Sequence, residues 1–167
     1  MRLALVLSAA LTLAATSAKA GEVLFDKAHA GDDVATVAAA APGAKPPAES
    51  DSLNGAVLAL EQAGVFHLGA TRRVRYFFLD GRLDAVQLAR NPSPGHTADD
   101  IRQSELYLKG LAVLHRGEWT CKQPIDAATT RYLDCDVVGA KINVGFSYMT
   151  FGEPFEVIVY RTKRPLD

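Results

Sequence analysis

The side chains of this sequence that could do chemistry are few: His29, His67, His96 and His115, Cys121 and Cys135, the pair Asp134 and Asp136, Ser147, and the cluster Arg72, Arg73 and Arg75. No two histidines stand three to five residues apart, the interval that sets two metal ligands on one helix face, so the spacing supports no metal site. His115 falls near the end of a predicted helix, where a cation would interact well with the helix dipole. Asp134 and Asp136 share one face of a predicted strand at ~6.5–7 Å, a separation compatible with acid/base work on a glycoside. Their position either side of Cys135 on an exposed face points instead to solvated carboxylates. Ser147 lies in Gly145-Phe-Ser-Tyr-Met149, which lacks the second glycine of a nucleophile elbow and reads as a strand, so an outward serine is the simpler assignment. No phosphate-binding glycine motif occurs. These residues give no catalytic, cofactor-binding or metal-ligating assignment, and the sequence points away from an enzyme without excluding one.

The arginine cluster has spacings of one and two on a predicted strand, which suits a solvated hairpin face better than a ligand site. Cys121 and Cys135, the two cysteines of the chain, are an even count separated by thirteen residues. That excludes a C-x-x-C redox motif, and without a histidine at ligand spacing it makes a poor zinc site, leaving one structural disulfide. Trp119 with Tyr132 is compatible with an aromatic contact patch, but a tryptophan capping the core beside the disulfide is the better assignment.

A disulfide needs an oxidising compartment, and the N-terminus supplies the address. Arg2, the apolar run Leu3 to Ala15 and the small-x-small Ala18-Lys19-Ala20 have the form of a secretory signal peptide over residues 1–20, cleaved between Ala20 and Gly21. The alternative, a retained anchor, needs roughly 20 apolar residues to cross a bilayer. Gly21 stands where a bacterial lipoprotein would carry its acylated cysteine, so no stable membrane anchor is expected after cleavage, and the product should be periplasmic or secreted. Cleavage removes two positive charges, Arg2 and Lys19, from a chain of net charge −1 and leaves −3. An acidic balance provides no electrostatic footprint for nucleic acid.

Residues 21–167 are expected to form a single α+β domain. After an opening strand, Val23 to Phe25, the positions Val34, Val37, Ala38 and Ala41 form a helical stripe capped by Asp32 and stopped by Pro42-Gly43. Residues 44–55 have the composition of a linker or surface loop. Ala56 to Leu60 and Val65 to Leu68 look extended. Val74, Tyr76 and Phe78 then alternate, Asp80-Gly81 turns, and Leu83, Val86 and Leu88 return. The parity of that return slips, which calls for a β-bulge near Asp84-Ala85 or a sheet covered on both sides. Thr97 to Asp100 opens a second helix with Ile101, Leu108, Leu111 and Ala112 facing the core, and Gly117 ends it. The last third reads as a meander: Leu133, Cys135 and Val137, then Ile142, Val144, Phe146 and Tyr148, then an internal strand from Phe155 to Tyr160. Asp32-Asp33-Val34 and Asp99-Asp100-Ile101 both begin helices, which is compatible with a tandem helix-plus-three-strand repeat over 23–90 and 97–162. The expected architecture is an antiparallel sheet covered by two helices.

This order of elements, the secretory start and the hairpin Val74-Arg75-Tyr76-Phe77-Phe78-Leu79-Asp80-Gly81-Arg82-Leu83 resemble small envelope proteins of the β-lactamase-inhibitor-protein-like group, which includes the small lipoprotein of the outer-membrane assembly machinery. The resemblance implies a protein that presents a sheet face or loops to other proteins, and it transfers no functional residue. The chain departs from the lipoprotein branch by lacking the acylated cysteine. The expected function is therefore an exported, soluble, non-enzymatic envelope protein binding an unidentified envelope protein, with no cofactor. The alternative is a small exported hydrolase or ligand-binding protein with a cleft between sheet and helices, in which polar side chains with perturbed pKa values would converge.

Overall fold

The computed structural model describes residues 21–91, 97–122, 132–138, 142–149 and 155–163; residues 1–20, expected to be a signal peptide, and His96 lie outside the described residues. The chain opens with a small antiparallel pair, β1 (Val23–Phe25) and β2 (Ala28–His29), followed by helix α1 (Val34–Ala40). Four strands follow: β3 (Ser52–Leu53), β4 (Ala56–His67), β5 (Ala70–Leu79) and β6 (Arg82–Arg90). Helix α2 (Thr97–His115) precedes β7 (Glu118–Lys122), β8 (Tyr132–Val138), β9 (Asn143–Met149) and β10 (Phe155–Arg161). The last eight strands form one antiparallel sheet in the order β3-β4-β5-β6-β10-β9-β8-β7. Among the described residues no helix is long and apolar enough to cross a membrane.

This architecture corrects the α+β expectation, because the protein is mostly β. Helix α1 has only seven residues, about two turns. Ala56 to Leu68, read as two extended pieces, holds one twelve-residue strand that continues through Ala63-Gly64 by taking up an extra residue between Gln62 and Val65. Part of the supposed linker pairs as β3, and Lys45 bridges to Glu61. The segment leaving α2 is itself a strand, β7. Four strands therefore follow each helix, and the helix-plus-three-strand unit does not describe the chain.

Both helices lie on one face of the sheet. Val37 of α1 and Leu108, Leu111 and Ala112 of α2 join Val74, Tyr76, Val86, Leu88, Val144, Phe146 and Ile158 in one buried cluster. The helix start is capped by Asp33 rather than Asp32: its carboxylate accepts from the Thr36 N–H at 2.8 Å, which holds the carboxyl below its usual pKa. Asp32 instead accepts from the His29 N–H and closes the turn after β2. At the C-terminal end of α2, Arg116 takes a left-handed φ of 54° and the Gly117 N–H reaches back to the Ala112 carbonyl, a Schellman-type ending.

Two bulges change the face that the following side chains take. Phe77 pairs with Ala85 and Phe78 with Leu83, which leaves Asp84 as the extra residue and puts the expected bulge where the parity slipped. The bulge puts Leu83 and Val86 of β6 on the helix-covered face together, whereas Phe78 reaches it by plain alternation with Val74 and Tyr76, and Phe77 joins Ala56, Leu58 and Ala85 in a small cluster on the outer face. The same happens at Ala59, so that Leu58 points outward and Leu60 inward. The inward alternation of Ile142, Val144, Phe146 and Tyr148 and the central position of β10 follow the sequence reading.

Candidate functional site

Four elements meet at one end of the helix-covered face: β1, the end of β4, the C-terminal turn of α2, and β10. They enclose a cavity of about 580 Å³ whose walls include Phe25, Val65, Phe66, His67, Leu114, His115 and Tyr160. The β1–β2 turn brings Phe25 to within 5.2 Å of the His67 ring, edge to face, and 6.2 Å of the Tyr160 ring. His115 stands 5.9 Å from Tyr160 on the other side. The Tyr160 hydroxyl and His67 Nε2 are in hydrogen-bond contact at 3.3 Å. His115 Nε2 is buried and has no hydrogen-bond partner among the described residues.

His67 is held by its neighbours in sequence. The strand β4 ends there and turns into β5 through Leu68 and Gly69, both with positive φ (49° and 76°), the signature of a two-residue type I′ hairpin. A side chain at Gly69 would strain that φ and meet the Tyr107 hydroxyl at 3.0 Å. Behind the turn, Arg72 donates from Nη1 to the His67 carbonyl. The Arg72 guanidinium is fully buried, lies 5.5 Å from the centre of the Tyr107 ring and donates from Nη2 to Glu156 Oε1 at 2.5 Å. Arg90 takes the other carboxylate oxygen at 2.6 Å. Glu156, itself fully buried, therefore holds two arginines, and burial of such charges is tolerated only with partners of this kind.

Burial favours the neutral forms of the cavity's two imidazoles and its phenol, while two carboxylates, Glu22 and Asp26, also line it. Burial, reinforced by the Arg72 charge, pushes the His67 pKa below its ordinary value. Burial lowers that of His115 as well, so its expected role as a cation on the helix dipole gives way to desolvation. The Tyr160 hydroxyl is pushed well above the ordinary phenol range by burial, against a smaller opposing pull from Arg72. The result is a partly apolar cleft that holds two uncharged imidazoles and one uncharged phenol, each able to donate or accept a hydrogen bond, with Glu22 and Asp26 in the same lining.

The other residues singled out from sequence do not converge here. His29 sits on β2 with Nδ1 2.8 Å from the Gly21 carbonyl, away from the cavity. Among the described residues no group of three metal-ligating side chains occurs. Asp136 is exposed, Ser147 lies on the outer sheet face, and Trp119 packs against the main core beside the cysteines. Cys121 and Cys135 are cross-strand partners in β7 and β8 and form the expected disulfide, which fits an oxidising compartment. The arginine cluster is not one solvated face: Arg72 points into the core and only Arg73 is exposed. Glu156 and Tyr160 escaped sequence reasoning. The available signal was Glu156 itself, a lone charge in the apolar run Phe155-Glu-Val-Ile-Val-Tyr160, which demands a buried partner.

No protein-family model matches the chain, and neither a curated protein nor a solved structure matches it.

Proposed function

We propose that this is an exported, non-enzymatic binding protein, periplasmic or secreted, that takes a small ligand with an apolar body and an uncharged polar head into the cleft between β1, β4, α2 and β10. The observation that carries this reading is the convergence of His67, His115 and Tyr160 in one cavity with Val23, Leu24, Phe25, Val65, Phe66 and Leu114. The cavity's volume, about 580 Å³, falls in the range of small-molecule sites, which are apolar with a few placed polar groups. Its mouth supports the same reading, since Phe66 is 74% exposed and Leu114 70%, an apolar cost without a ligand to cover it. Hydrolysis is disfavoured because the oxygen beside His67 belongs to Tyr160, whose raised pKa makes it a hydrogen-bonding group rather than a nucleophile.

The test is displacement of the uncharged fluorophore N-phenylnaphthylamine by decanol, decanoate and decylamine. Decanol should displace it from the natural chain most effectively, and Leu114→Asp should weaken fluorophore binding about tenfold or more, because a carboxylate at the mouth must be desolvated. Equal binding by the variant, or no preference among the three headgroups, would sink the assignment. A second reading, an envelope protein seated on the sheet's outer face, is favoured by the strip of Asp136, Asn143, Gly145 and Ser147 on β8 and β9, in which Asp136 and Asn143 are exposed and Gly145 and Ser147 half-buried. Cross-linking in a native envelope, with Gly145→Arg as the disrupting variant, separates the two.

A further inference from the structure

The eight-stranded sheet ends in two edges that differ in kind. At one, β3 has only two residues, and Lys45 bridges to Glu61 to cover part of β4. At the other, β7 runs for five residues, Glu118 to Lys122, and among the described residues it pairs with β8 alone. A strand in that position presents a row of backbone N–H and C=O groups to a further strand. We propose that β7 pairs antiparallel with β7 of a second copy of this chain about a two-fold axis at Thr120, which joins the two sheets edge to edge.

Backbone geometry limits the registers open to such a pair. Cys121 and Cys135 are register partners with Cα atoms 4.0 Å apart, the close spacing of a pair that exchanges no backbone hydrogen bonds. The N–H and C=O groups of Cys121, and by alternation those of Trp119, therefore point away from β8 and towards the edge, whereas those of Glu118, Thr120 and Lys122 face β8. Two copies can pair only where outward-pointing residues meet each other. With the axis at Thr120, Trp119 of each copy meets Cys121 of the other, both pairs exchange their N–H···O bonds, and the whole of β7 overlaps. Moving the axis to Trp119 or Cys121 keeps the parity but shortens the overlap.

Charge selects the same register. Glu118, Thr120 and Lys122 alternate with the core-facing Trp119 and Cys121, which gives them outer-face positions, and on β8 their register partners are Val138, Asp136 and Asp134. Glu118 thus has an apolar cross-strand neighbour within its own chain. The two-fold pair sets Lys122 of the second copy opposite it, in a close pair without backbone hydrogen bonds, where side chains approach most nearly. The Lys122 position then lies in one row between Asp134 of its own chain and Glu118 of the copy, a cation between two acidic residues. Other protection of this edge is slight, since β7 has no proline and its register with β8 is unbroken. The disulfide at Cys121 holds the strand against β8 in advance, which lowers the ordering cost of pairing. Helix α2 packs over β7, β8 and β9, most closely over β8. Two copies of it would stand ~14 Å apart across three strand spacings, more than the roughly 8–10 Å at which helices touch.

An edge of five residues buries less than the ~1,200 Å² at which stable interfaces begin, so the dimer should be reversible and concentration-dependent. Sedimentation velocity on the full chain, from micromolar to millimolar concentration, should show monomer converting to dimer. Glu118→Lys alone places lysine against lysine, and Lys122→Glu alone places glutamate against glutamate. Each should weaken dimerisation about tenfold or more while the circular dichroism spectrum stays unchanged. Mixed in equal amounts, the two variants should dimerise with each other, because each supplies the charge that the other lacks. That recovery is peculiar to a register in which residue 118 meets residue 122. A natural chain that stays monomeric throughout, single variants that dimerise as it does, or a mixture that does not recover would overturn the proposal.

Discussion

Single side chains in the apolar cavity are governed by one competition, between solvation of a charge and burial of the group that would carry it. For His67 and His115 burial wins, and their folded pKa values lie below the ordinary histidine value near 6.5. The sign of the consequence is fixed by linkage. A histidine whose pKa is depressed by folding is neutral in both states at high pH, whereas below about pH 6.5 the unfolded chain takes up a proton that the folded chain refuses. Stability is therefore complete above about pH 7.5 and is lost as pH falls through 6.5 towards the lowered folded values. Urea denaturation at pH 7.5 and pH 5.5 should reveal this loss, and the double variant His67→Gln, His115→Gln should flatten it. A decline of the same size in the variant would place its origin elsewhere. The Arg72–Glu156–Arg90 group shows the other solution to the same competition, in which the charges stay and are paired.

Among the elements, the edge hairpin β7–β8 depends on a covalent link. Cys121 and Cys135 are register partners, so the bond joins strands already adjacent and constrains the unfolded chain over a separation of 14 residues. Loop-closure entropy for that length gives about 3 kcal/mol. Full reduction should lower the unfolding free energy by about that much, and an unchanged transition in dithiothreitol would contradict it. Element by element, legibility in the sequence followed the strength of local pattern. Ile142 to Tyr148 alternates without interruption, and the parity slip after Asp80-Gly81 calls for a bulge near Asp84-Ala85 or a sheet covered on both sides; the structure has the bulge at Asp84 and a small buried cluster on the outer face as well. β4 was hidden because its bulges at Ala59 and near Gly64 break a two-residue period into fragments. The turn at Leu68-Gly69 was hidden because leucine seldom takes a left-handed φ, and the turn is what places His67. The cavity itself could not be read, since His67, His115, Tyr160 and Phe25 are distant in sequence and carry no shared spacing.

For the whole molecule, everything depends on one seam. The strands β4–β6 and β7–β9 belong to separate stretches of chain, and β10 joins them by pairing with β6 on one side and β9 on the other. Ile158 sits at the centre of that seam opposite Leu88 and Phe146, and all three are fully buried. β10 also carries Tyr160 to the cavity and Glu156 to the two arginines, so one strand connects the cores of both halves, the cleft and the buried ion group. If the seam couples the halves, they cannot unfold separately. Ile158→Ala should cost about 2–5 kcal/mol and shift the unfolding transition as a single step. Tryptophan fluorescence from Trp119 on β7, at one end of the sheet, and far-ultraviolet circular dichroism of the whole chain should move together. Two separated transitions, with the Trp119 signal departing from the remainder, would mean that the eight strands do not act as one sheet and that β10 is merely a neighbour to both halves.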